Sequence, residues 1–196
     1  IMCVISAIIA GAIWGVIPGL LKVFCHVNEV ISGIMLNWIG LFFVNYSLQT
    51  YLSGIVDPGN SFHTKIVTGA AKLPNMGANA LGDNFSIAII IAIAVAILAF
   101  VVMEKTTFGY QLKASGYNRH ATQYAGMNAK KNVILTMLIS GGVAGLGAGL
   151  YYLSGIECWP AMTSTVLPQV PWNGIIVAFI AQMNPVGAIF SAAFMA

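Results

Sequence analysis

Phe85-Ser86-Ile87-Ala88-Ile89-Ile90-Ile91-Ala92-Ile93-Ala94-Val95-Ala96-Ile97-Leu98-Ala99-Phe100-Val101-Val102-Met103 holds no charged residue and only one hydroxyl. A run of about 20 apolar residues is what an α-helix needs to cross a bilayer. Lipid offers no hydrogen bonds to open backbone groups, so a spanning segment must be a helix or part of a closed barrel. A barrel strand would alternate apolar and polar residues over about 10 positions, and this stretch does not.

The rest of the chain fits the same solvent. Its 196 residues are 59% hydrophobic and 7% charged, with a mean hydropathy of +0.88. Soluble domains average about 25% charged residues, so a water-soluble globule of this make-up would aggregate. Three further runs can cross, at about 1–21, 30–52 and 133–153. A fifth, 174–196, is interrupted by Asn184-Pro185, where proline removes a donor and disfavours helix at the preceding residue. A kinked crossing and two half-helices meeting in the bilayer both fit. The expected fold is all-α: a single polytopic transmembrane helical bundle over 1–196, with a broken helix near its C-terminal end. Ile1 has no charged region before it, so the first run does not read as a signal peptide. The chain reads as an internal fragment of a larger membrane protein.

Between the quoted run and the next lies a polar island, 104–132. It carries Lys105, Lys113, Arg119, Lys130 and Lys131, five of the eight Lys and Arg residues. Its pattern predicts two short helices. Thr106 or Thr107 caps the first and Gly116 closes it in the left-handed conformation; Asn118 caps the second and Gly126 closes that. With this loop on the cytoplasmic side, Lys22 joins those five, and Lys65 and Lys72 fall outside, as the positive-inside tendency asks. Tyr51, Phe85, Tyr151, Tyr152, Trp159 and Trp172 then gather at the outer boundary like belt aromatics. Residues 53–84 become a long outer loop rich in Gly, Pro and Asn, either a docking surface or a plain solvated loop.

Small residues recur every fourth position at Gly11, Gly15 and Gly19, at Gly141, Gly145 and Gly149, and at Ala88, Ala92 and Ala96. Such stripes let helix backbones approach closely in lipid. Gly145-Leu146-Gly147-Ala148-Gly149 lacks the strand and acidic partner of a dinucleotide loop and reads as a packing face. Polar side chains within the apolar runs (Asn28, Ser32, Asn37, Asn45, Gln182, Asn184) either bond between helices or line a path. Glu29 reads as a membrane-boundary functional group or as a solvated helix start. Cys3, Cys25 and Cys158 form no paired framework, and His26, His63 and His120 have no metal-ligand spacing. No nucleophile, base or metal set assembles, no P-loop lysine motif is present, and a net charge of +3 is too dispersed for nucleic acid.

The run Gly11-Ala12-Ile13-Trp14-Gly15-Val16-Ile17-Pro18-Gly19-Leu20-Leu21-Lys22, followed by Val27-Asn28-Glu29-Val30-Ile31-Ser32-Gly33-Ile34-Met35-Leu36-Asn37, resembles permease subunits of bacterial ABC importers. The similarity is to the type that serves nucleosides, simple sugars such as ribose, and branched-chain amino acids. Phe108 to Gly126, Gly174 to Ile180 and Asn184-Pro185-Val186-Gly187 continue it, so it covers essentially the whole chain. Gly33 stands where that motif usually has Ser or Thr. The resemblance implies a transport subunit of the bacterial cytoplasmic membrane, with no catalytic residue, metal or cofactor of its own. ATP and Mg would sit on cytoplasmic ATPase partners. A second permease subunit would complete the pathway, and an extracytoplasmic binding lipoprotein would deliver the small-molecule substrate. The coupling helix would lie in Gly116 to Gly126, with Gly116, Asn118, Arg119, His120, Ala121, Tyr124 and Gly126 meeting the ATPase. Asn28, Glu29, Ser32, Asn37, Gln182 and Asn184 would border the route. The rival readings are an ion-coupled secondary carrier working through Glu29, and a membrane scaffold that moves nothing.

Overall fold

The computed structural model describes residues 2–51, 53–57, 60–64, 87–155, 158–159 and 167–195. Lys65, Lys72, Asp83, Phe85, Glu157 and most of the 53–84 loop lie outside the described residues. Eight α-helices appear among them: α1 (Met2–Phe24), α2 (Glu29–Thr50), α3 (Ile87–Lys105), α4 (Thr107–Tyr117), α5 (Arg119–Tyr124), α6 (Ala129–Leu153), α7 (Val170–Ile180) and α8 (Pro185–Met195). Four of these, α1, α2, α3 and α6, are long and apolar enough to cross a membrane. They also leave large apolar side chains exposed, among them Ile9, Ile13, Phe42, Phe43, Ile97 and Leu98. α3 buries none of its residues. Water would not tolerate such faces, and lipid or neighbouring helices would.

The chain divides into two compact units, residues 1–88 with 137–167, and residues 89–136 with 168–196. In the first, α1 and the Met137–Leu153 part of α6 meet along their glycines. A Cβ on Gly11 would strike the Gly141 carbonyl and lie 2.8 Å from Gly145 Cα. A Cβ on Gly15 would lie 2.7 Å from Met137 O and 2.8 Å from Gly141 Cα. Gly145 faces the Ala7 carbonyl, Gly149 faces Ala7 Cβ, and Gly19 is buried. Only glycine permits that backbone approach. α2 packs on α1 where Gly40 faces the Trp14 ring, 3.3 Å from an added Cβ. The α1–α2 link turns at His26, whose φ of 54° lets Val27 N–H donate back to Leu21 O at 3.4 Å. Asn28 then caps α2 by accepting from Val30 N–H at 2.9 Å.

Two short strands, β1 (Val56–Asp57) and β2 (Asn60–Thr64), form an antiparallel hairpin in the segment after α2. This small addition to an all-helical bundle leaves the spans unchanged. Thr64 N–H donates to Trp159 O at 2.9 Å and Thr64 Oγ1 accepts from Trp159 N–H at 3.1 Å. Trp159 Nε1–H donates to Asn45 Oδ1 at 3.1 Å, and its ring meets Tyr152 edge-on at 6.0 Å between centroids. Asn45 therefore bonds between elements.

In the second unit, α7 and α8 are antiparallel. Ser191 Oγ donates to Val177 O at 2.9 Å. Fourteen residues of straight helix would separate those atoms by about 21 Å, so the chain has reversed. The reversal runs through Gln182 (φ 50°) and Met183 (φ 60°), consecutive left-handed residues that are not glycine. Left-handed backbone costs roughly 1–2 kcal/mol per residue for such side chains. Bonds from Gln182 N–H to Phe179 O and from Met183 N–H to Ala178 O, both 3.0 Å, offset it. Asn184 caps α8 by accepting from Val186 N–H at 3.0 Å, with Pro185 opening the helix where no donor is needed. Of the two forms open to the interrupted fifth run, the structure adopts the broken one. Each 11-residue helix is about 16 Å long, roughly half a hydrocarbon core.

Candidate functional site

The polar island folds as an elbow on the end of α3. Thr106 caps α4: its Oγ1 accepts from Gly109 N–H at 3.2 Å while its hydroxyl donates to Val102 O at 2.5 Å. Gly109 is where α4 turns back against α3, since a Cβ there would collide with the Val102 and Met103 carbonyls and lie 2.6 Å from Met103 Cα. Lys113 and Glu104 form an ion pair across the same bend. Both side chains are about half exposed, so the pair adds little stability.

α4 does not close at Gly116. Gly116 lies inside the helix, which continues to Tyr117, and its φ is not positive. Asn118 stops it instead, with extended backbone at φ −152° and ψ 106°. One residue thus ends α4 and starts α5. Its N–H donates to Ala114 O at 3.1 Å, its Oδ1 accepts from Ala121 N–H at 3.1 Å, and its carbonyl takes Thr122 N–H and Thr122 Oγ1–H. An asparagine that serves both ends removes the need for a left-handed glycine between them. Gly126, at φ 78°, closes α5, and Met127 N–H returns to Thr122 O at 3.0 Å. Asn128 then caps α6 through Lys131 N–H at 3.1 Å.

The elbow has an inner and an outer face. Inward, Asn132 on the first turns of α6 donates from Nδ2 to Ser115 Oγ at 2.8 Å, and Ser115 donates to Gln111 O at 2.8 Å. Asn132, Ser115 and Thr122 are 6%, 7% and 3% exposed. Outward, Tyr117 and Tyr124 are 91% and 92% exposed, and Tyr110 is also exposed. Buried tyrosine rings dominate contact energetics, so two nearly bare ones, Tyr117 at the end of α4 and Tyr124 at the end of α5, form a surface suited to a partner. Sequence reasoning named Tyr124 and missed Tyr117, although the i and i+7 spacing of Tyr110 and Tyr117 was a signal. Arg119, His120 and Ala121 belong to α5 itself.

The expected route residues fall into two sets. Asn28, Glu29 and Ser32 gather at the start of α2. Asn28 is used as its cap, and the buried Ser32 hydroxyl donates to Glu29 O at 3.1 Å. Glu29 pairs with Lys22 at 2.6 Å. Asn37 is exposed further along α2. Gln182 and Asn184 sit at the α7–α8 reversal, both exposed. Gly33 brings no hydroxyl to the first set, but nothing lies within 4 Å of a Cβ added there, so the position has room for the family's usual side chain. Among the described residues no group of three His, Cys, Asp or Glu side chains could hold a metal.

The pattern described as branched-chain amino acid transport system permease component matches residues 1–196. The guanosine ABC transporter permease NupP of Bacillus subtilis is 34% identical over 99% of this chain and 54% of its own length. The nucleoside ABC transporter permease NupB of Lactococcus lactis subsp. cremoris is 32% identical over 97% of this chain and 53% of its own. The glucose ABC transporter permease TsgB13 of Haloferax volcanii is 25% identical over 98% and 51%. The chain spans about half the length of these curated relatives. No solved structure matches it. A match over every residue, joined to four crossing-length helices and a capped elbow between two of them, places the chain in the branched-chain amino acid transport system permease component family.

Proposed function

We propose that this chain is part of a membrane-spanning permease subunit of an ATP-binding cassette importer in the bacterial cytoplasmic membrane. The observation that carries the reading is the α4–α5 elbow, a capped, basic, tyrosine-bearing helix pair held against the end of one span and the start of the next. Arg119, His120 and Tyr124, with Tyr117, meet a cytoplasmic ATPase subunit, and Gly116, Asn118, Ala121 and Gly126 shape the turn that presents them. ATP and Mg belong to that partner. Nucleosides are the favoured cargo because two relatives, at 34% and 32% identity, are named for guanosine and nucleoside transport. A binding lipoprotein delivers the nucleoside to the outer face, where a second permease subunit shares the route. Asn28, Glu29, Ser32, Asn37, Gln182 and Asn184 border it.

Reconstitution of the full-length subunit with its ATPase and binding protein tests the reading directly. Labelled nucleoside should accumulate only with ATP. Arg119→Glu should reduce uptake at least about tenfold, the loss expected when one central contact of an interface is reversed in charge, while ATP hydrolysis continues. Uptake that survives ATP depletion but collapses with the proton gradient would instead favour the ion-coupled carrier.

A further inference from the structure

α4 is fastened at both ends of its buried face. At one end Gly109 lies against the Val102 and Met103 carbonyls of α3. At the other, Asn132 of α6 reaches Ser115 at 2.8 Å and Gln111 O at 3.4 Å, spanning 17 and 21 residues of chain. Asn132 and Ser115 are almost fully buried, and Asn132 O in turn accepts from the Thr136 hydroxyl at 2.8 Å. α5, by contrast, is held by its neighbours in sequence: the Asn118 and Thr122 bonds and the Gly126 turn. The polar side chains thus tie α4 to the foot of α6, while α5 turns Thr122 inward and leaves Tyr124 bare.

We infer that Asn132 and Ser115 are positioning residues that join α4 and the foot of α6 into one lever, so that a push on α5 displaces the membrane helix. This rests on the reading that α5 receives the ATPase. A buried amide–hydroxyl contact suits such a joint. Breaking it strands a donor away from water, so the joint resists opening, and its directionality fixes the register of α4 on α6. A merely greasy contact could slide. Neither residue needs to touch nucleotide, substrate or the ATPase.

The test uses the full-length transporter with its ATPase and binding protein in proteoliposomes. Ser115→Ala and Asn132→Ala are each expected to lower substrate moved per ATP hydrolysed by about fivefold, the effect of one buried hydrogen bond. The double variant should be no worse than the worse single, since both remove the same contact. ATPase subunits should still co-purify in full amount. Unchanged coupling, or losses that simply add, would overturn the lever. Should the variants insert poorly, spin labels at Tyr110 and Lys130, with the native cysteines replaced, supply a second reading. Their distance distribution should stay the same with and without ATP, and a shift on ATP binding would overturn the inference. ATPase subunits that fail to co-purify with the unaltered transporter would defeat the functional reading itself, and the lever with it.

Discussion

Where α1 meets α6 the chain removes side chains, and where α4 meets the foot of α6 it adds polar ones. Gly11, Gly15, Gly141 and Gly145 bring backbones to contact distance, so the seam relies on dispersion between closely packed main chains. Ser115 and Asn132 instead make a directed bond, with Thr122 buried nearby in the chain and two bare tyrosines outside. The difference follows the surroundings. Within lipid, hydrophobicity does not draw helices together, and close approach is the available force. At the water boundary short helices are marginal on their own, and caps plus buried polar bonds must order them. The seam should therefore fail structurally when altered, and the elbow's outer face should fail functionally.

Three substitutions probe that contrast. The largest effect is expected from Gly141→Leu, whose Cβ alone would strike Gly11 O and lie 2.8 Å from Gly15 Cα. It should cost at least about 3 kcal/mol, the upper range for over-packing, seen as a lower melting temperature in detergent and little folded protein in membranes. Tyr124→Ala should shift stability by less than about 0.5 kcal/mol, because the ring is almost wholly exposed. ATPase affinity should nonetheless weaken about tenfold, measured by titrating the ATPase against the permease in nanodiscs. The smallest effect belongs to Trp159→Phe. It removes the bond to Asn45 but keeps the ring beside Tyr152, and should cost about 1 kcal/mol in thermal unfolding.

Legibility from sequence followed the range of the interaction. The crossing helices were readable because an apolar run of this length has one solution in lipid, and the glycine stripes because a four-residue repeat marks one helix face. Asn118 and Gly126 were readable as caps for the same local reason. Gly116 misled because a glycine near a helix end resembles a C-cap, whereas the extended Asn118 stops α4 one residue after Tyr117. The Asn132–Ser115 bond, 17 residues apart, and the Trp159–Asn45 bond, 114 apart, have no signature in pattern or spacing. The fate of Asn184-Pro185 needed Ser191 to reach Val177, a tertiary contact that turns an open choice into a hairpin. The spacing of Tyr110 and Tyr117 put both on one face of α4, but only the fold shows that this face is exposed.

An ATPase can grip the α4–α5 elbow only if the elbow lies on the cell interior. Sealed right-side-out and inverted membrane vesicles, stripped of ATPase, can be treated with a membrane-impermeant amine reagent and Lys130 followed by peptide mass spectrometry. Lys130 is exposed at the start of α6, so it should react in inverted vesicles and remain untouched in right-side-out ones. Modification of Lys130 from the outside would contradict the account.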